Sequence, residues 1–179
     1  IMNETIVQQA ALAAAASPQE ELSILETALI GDSQVIVDIY SRFLFEQEVF
    51  NRRAKAELSV AELNELMVWA QKETFGDGLD ERYLQPYMWT WKPHYYGADL
   101  PFYNFPYAFG LLFGVGLYAI YQERGAAFVP DYVNLLASTG EDDAANLAAR
   151  FGIDIRQKDF WAASLKVIEA RIARYVALE

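Results

Sequence analysis

His94 is the only histidine in the chain, and it opens the stretch HYYGADLPFYNFPYAFG (94–110), with Tyr95, Tyr96, Tyr103 and Tyr107 close behind it. The stretch holds one charged side chain, Asp99, in a chain that is 22% charged. Imidazole and phenol share a property: each donates a hydrogen bond without carrying a permanent charge. Such donors suit a carbonyl oxygen, or the oxyanion of a tetrahedral intermediate, where negative charge develops only as the reaction proceeds. The same residues also suit an aromatic loop that plugs a core, its hydroxyls satisfied by backbone groups. Residue types alone leave both roles open.

Other chemistry is thin. One histidine does not make a Ser-His-Asp triad, and neither a nucleophile elbow nor a Gly-rich phosphate loop is present. Hydrolytic zinc sites take three protein ligands, typically two histidines and a carboxylate, and the second histidine is missing. With no cysteine, neither a disulfide framework nor a thiolate metal site is available. Carboxylates cluster at Glu20/Glu21, Glu46/Glu48 and Glu141–Asp143. Solvated helix faces and first-turn charges favoured by the helix dipole are expected there. The chain alone is not expected to be a complete hydrolase.

The elements that position these residues read as all-α. Residues 1–16 are rich in alanine, the best helix former. Ser17, Pro18 and Glu20 have the types for N-cap, first helical position and capping box. Leu22, Leu25, Leu29 and Ile30 follow with helical spacing, and Gly31–Asp32 reads as a break or kink. Val35, Ile39, Phe43 and Phe50 mark one face of a helix ending near Lys55. Ser59 and Glu62 open another, to about Thr74. FGDGLD reads as a turn and 80–100 as irregular. Helices are expected from about Phe102 to Gln122, Pro130 to Ala137 and Asp142 to Phe151. A last one runs from Asp159 as N-cap to Leu178.

A chain of 179 residues is long enough for one domain with a real core, and a single helical domain or fragment over 1–179 is expected. Its 54% hydrophobic and 15% aromatic content exceeds what such a domain hides, which points to packing against a further subunit or a missing part of the same protein. A formal charge of −11 disfavours nucleic acid. There is no basic leader, and helical spacing begins at once after Ile1, so an abrupt start and a cytoplasmic location are expected. Residues 100–122 carry no charge, enough by length for a membrane span. Asn104, Pro106 and tyrosines at 103, 107, 118 and 121 argue instead for a central, fully surrounded helix, with Gly110, Gly114 and Gly116 as points of close approach.

KPHYYGADLPFYNFPYAFGLLFGVGLYAIY (92–121) resembles a His-aromatic-Tyr segment followed by Phe-Tyr-Asn-Phe-Pro-Tyr-x-Phe-Gly in oligoendopeptidase F, a branch of the thimet-type zinc oligopeptidases. FGIDIRQKDFWAASLKVIEARI (151–172) is similar to that family's ending, and IMNE (1–4) to the stretch after its third zinc ligand. The resemblance implies the C-terminal part of a larger α-helical peptidase with an enclosed substrate cleft. The family's His-Glu-x-x-His motif is absent, so zinc, its ligands and the general base are expected upstream of residue 1, with no metal held here. By the same resemblance His94 binds substrate backbone, together with Tyr96 as the better match and Tyr95, and with Gly97 as loop hinge. Tyr103 and Tyr107 are the implied oxyanion donors, and Asn3 and Glu4 are implied to support the ligand helix, a first-turn helix charge being the other role open to Glu4. Short peptides are the implied substrates, with no activity from this portion alone. Two other readings compete: a stand-alone helical module gripping a peptide or apolar ligand without chemistry, and a small membrane protein resting only on the uncharged run.

Overall fold

Local capping signals account for the starts of three helices, those opening at Pro18, Val60 and Ala144. In the computed structural model, which describes residues 1–95, 97, 99 and 101–178, α1 spans Met2–Ala14 and α2 spans Pro18–Ser33. The Ser17 hydroxyl accepts from the Glu20 N–H at 3.2 Å, and the Glu20 carboxylate accepts from the Ala16 N–H at 2.8 Å. Of the break or kink expected at Gly31–Asp32, the break does not occur: both residues stay helical. A mid-helix glycine costs only about 1 kcal/mol against alanine and ends nothing without a competing cap. Instead the chain winds into a six-residue π-helical stretch, Gln34–Ile39, and continues as α3, Tyr40–Arg53.

Helix α4, Val60–Phe75, opens on a complete capping box: Ser59 N–H donates to Glu62 at 2.8 Å and Glu62 N–H to the Ser59 hydroxyl at 3.3 Å. Gly76, at φ +54°, stops it in a conformation that favours glycine. Short 3₁₀ turns follow at Glu81–Tyr83, Met88–Thr90 and Pro93–Tyr95. Helix α5, Phe105–Arg124, starts later than expected, because Phe102 adopts φ +54° and cannot be helical. A 3₁₀ turn at Gly125–Phe128 leads to α6, Val129–Ala137, then α7, Ala144–Ala149, and α8, Lys158–Val176. Asp159, expected as N-cap, lies inside the first turn of α8 behind Gln157, where its charge still meets the positive end of the helix dipole. No strand occurs among the described residues, and the fold is all-α.

The chain divides into two compact units, Ile1–Ile30 with Gly110–Glu179, and Gly31–Phe109. In the first, Met2, Leu117, Phe128, Leu147 and Ile153 form a buried apolar cluster. A Cβ on Gly116 would sit 2.5 Å from Phe160 Cζ and 2.6 Å from Ser164 Oγ, and one on Gly114 2.7 Å from Ile1 Cβ. These two glycines are points of close approach as expected, whereas Gly110 faces open space. Nor is α5 surrounded throughout: it is buried at Leu111 and Gly114–Tyr118, while Phe105 and Phe109 are exposed. By length and composition, Phe105–Ala137 would suffice to cross a membrane, with 28% of its apolar window buried.

In the second unit Phe45, Val49, Leu66, Met67, Ala70 and Met88 form the apolar cluster. Buried Gln71 clasps the irregular segment, donating to the Gln85 carbonyl at 3.1 Å and accepting from the Gln85 N–H at 2.9 Å. Trp89 Nε1 donates to Asn64 Oδ1 at 2.8 Å. These bonds hold the chain leading to His94 against α4.

Candidate functional site

The buried face of α3 differs from the apolar one expected of Val35, Ile39, Phe43 and Phe50. Phe50 is 56% exposed, and the residues turned inward are Arg42, Phe45, Glu46 and Val49, along with Ser41. Arg42 is 4% and Glu46 3% exposed, so Glu46 is not the solvated-face carboxylate that its place beside Glu48 implied. Glu48, by contrast, pairs near the surface with Arg52. Arg42 pairs with Asp38, one turn earlier in the π-helical stretch.

Arg42 and Glu46 hold both ends of the loop that carries the tyrosines. The Arg42 carbonyl accepts from the Tyr95 hydroxyl at 3.5 Å. The Glu46 carboxylate accepts from the Asn104 side-chain amide and backbone N–H, immediately before α5. A carboxylate there meets unpaired N–H groups and the positive end of the helix dipole. Burial nevertheless dominates, raising the Glu46 carboxyl from 4.5 to about 7 against the opposing pull of Asn104 and the Arg42 charge. Within the loop, Gly97 N–H donates to the Pro93 carbonyl at 2.8 Å and Phe102 N–H to the His94 carbonyl at 2.7 Å. The left-handed backbone at Phe102 is a strained conformation for a bulky residue, and it turns the chain into α5.

This arrangement brings three of the expected donors together. His94 Nε2 lies 2.9 Å from the Tyr107 hydroxyl, the two rings meeting edge-on at 82°. The Tyr103 ring packs edge-on against Tyr107, with centroids 6.0 Å apart. All three side chains are half-buried. Burial, then the charges of Arg42 and Lys92, push the His94 pKa below its usual 6.5, so the ring is neutral at neutral pH. A neutral imidazole has one donor and one acceptor nitrogen. If Nε2–H donates to Tyr107, the phenol O–H is free to point at a third group. Buried Nδ1 has no hydrogen-bond partner among the described residues, and Arg42 Nε and Asn104 Oδ1 share that condition.

The other expected site residues lie elsewhere. Tyr95 turns into the apolar cluster, edge-on to Phe45 at 5.4 Å, instead of joining His94 and Tyr107. Gly97 closes the turn with Pro93, and Tyr96 lies outside the described residues. Asn3 and Glu4 are exposed on α1 in the first unit. Asp38, Arg42, Glu46 and Asn104 were not anticipated. Their signal was present in the spacing: charges at 38, 42 and 46 recur one helical turn apart, in line with Phe45 and Val49.

Among the described residues no group of three His, Cys, Asp or Glu side chains could hold a metal ion. The site offers hydrogen-bond donors and one buried carboxylate, and the residues present do not fit a zinc centre of their own. Set against protein-family models, curated proteins and solved structures, the chain matches none.

Proposed function

We propose that the chain is the C-terminal portion of a zinc endopeptidase of the oligoendopeptidase F type, acting on short peptides in the cytoplasm. In this reading His94, Tyr103 and Tyr107 bind substrate backbone and meet the developing oxyanion. The pairing of His94 Nε2 with the Tyr107 hydroxyl at 2.9 Å carries it. A neutral His94 donating to Tyr107 polarises the phenol, whose own proton then points at the substrate oxygen. That bond strengthens as the carbonyl oxygen gains charge, which favours the transition state over bound substrate. Tyr103, packed on Tyr107, supplies the second hydroxyl. Glu46 and Asn104 act as positioning residues, setting the start of α5 from which Tyr107 projects. The reading places zinc, its ligands and the general base on another stretch of a longer parent chain. No step through the metal follows from these residues.

A second reading, a helical module that binds an apolar ligand without chemistry, is favoured by the aromatic-lined cavity that Tyr95 and Phe102 help to form. One experiment separates them. An antibody raised to this chain recovers the native protein from its own cells, and its mass and its cleavage of a short internally quenched peptide are measured. The peptidase reading expects a mass well above 20.3 kDa and turnover. It also expects Tyr107→Phe or Tyr103→Phe to lower kcat by about 10²–10³-fold with KM little changed. A 20.3 kDa protein without cleavage, or wild-type turnover in both variants, overturns it.

A further inference from the structure

The second unit contains a cavity of about 300 Å³ that the donor site does not use. Phe45, Val49 and Leu63 line it with aliphatic and aromatic carbon, and Trp89, Tyr95 and Phe102 add three rings. The polar atoms of two of those rings are engaged elsewhere: Trp89 Nε1 donates to Asn64 and the Tyr95 hydroxyl to the Arg42 carbonyl. Phe102, the residue at φ +54°, forms one wall. Arg53 is the one charged lining residue. It is exposed and forms no ion pair among the described residues, in a chain where acids outnumber bases 25 to 14.

We propose that this cavity binds an apolar monocarboxylate, with a phenyl-sized or branched aliphatic group inside and its carboxylate on Arg53. An apolar cavity of roughly 150 Å³ already accepts benzene, so this one has room for a ring and a short tether. A guanidinium with no ion-pair partner among the described residues fits a planar carboxylate through two parallel hydrogen bonds. Two sources carry this chemistry, the C-terminal residue of a peptide and a free aromatic or fatty acid. The site stands on the cavity and Arg53, independently of the peptidase reading.

NMR titration of the 179-residue chain tests it, following the Trp89 indole and Arg53 side-chain signals. The probes are N-acetyl-L-phenylalanine, 4-phenylbutyrate and N-acetyl-L-phenylalaninamide. Saturable binding of at least one acid is expected, with the amide about tenfold weaker for want of its charge. Arg53→Gln loses the same factor for the acids, and its exposed position leaves the fold intact, which circular dichroism checks. Tighter binding of the acetylated amino acid assigns the peptide end, and tighter phenylbutyrate the free acid. Leu63→Trp, which fills the cavity, abolishes both. The proposal is overturned if neither acid saturates, if the amide binds as well as the acids, or if Arg53→Gln binds them unchanged.

Discussion

The two compact units solve the same packing problem differently. In the first, apolar groups interdigitate closely enough that Gly116 has no room for a methyl, and its polar groups find partners. Arg171 donates to Thr5 at 3.3 Å, Trp161 Nε1 to the Ile155 carbonyl at 2.9 Å, and Arg174 meets Glu21 through two bonds of 2.6 Å. In the second, the apolar cluster borders buried Arg42, Glu46 and Asn104, and three buried polar atoms have no partner among the described residues. Each such orphan costs roughly 1–3 kcal/mol. A core built only for stability would exchange these groups for hydrocarbon. They lie around His94 and Tyr107, the residues on which the proposed function rests.

The largest effect that tests this contrast is Arg42→Ala. Removing it leaves Asp38 and Glu46 without their buried cation, at a cost of about 3–5 kcal/mol in urea unfolding at neutral pH. A loss smaller than that of the glycine variant below would break the comparison.

Next is the pH dependence set by Glu46. Its carboxyl titrates at about 7 in the fold against 4.5 unfolded, so the folded state holds the extra proton. The stability it contributes is full below 4.5 and is lost as pH rises towards 7, up to about 3 kcal/mol. Glu46→Gln therefore flattens the stability profile across that window and is more stable than wild type above it, as thermal melts across pH will show. His94 works with the opposite sign, its contribution being lost as pH falls below 6.5.

Gly116→Ala sharpens the other side. Phe160 and Ser164 must shift to admit the methyl, at about 1–3 kcal/mol, read by hydrogen exchange confined to the first unit. The smallest effect expected is Ser59→Ala. It removes the cap of α4 and costs about 1 kcal/mol in the same urea assay, with no change in the His94 environment by NMR.

Much of the fold was legible because helix signals are local. Ser59 and Glu62 lie three residues apart and close their capping box as read, and Gly114 and Gly116 marked close approaches before any partner was known. The differences have two causes, the absence of a local stop signal and the pull of neighbours in space. Gly31 stayed helical because no cap competes there. Phe50 lies outward while Arg42 and Glu46 take the inner face, Glu46 having been expected on a solvated one.

The sequence by itself determined the all-α class, the order of helices, and the concentration of imidazole and phenol between residues 94 and 107. These follow from backbone propensity, capping and composition, which act over a few residues. Only the tertiary structure decided which phenol the imidazole meets, that Tyr95 joins the apolar cluster instead, and that Glu46 is a buried carboxyl holding the start of α5. Those outcomes rest on contacts 13 to 58 residues apart in the chain, where burial and charge set the energy and local pattern carries no record of the partner.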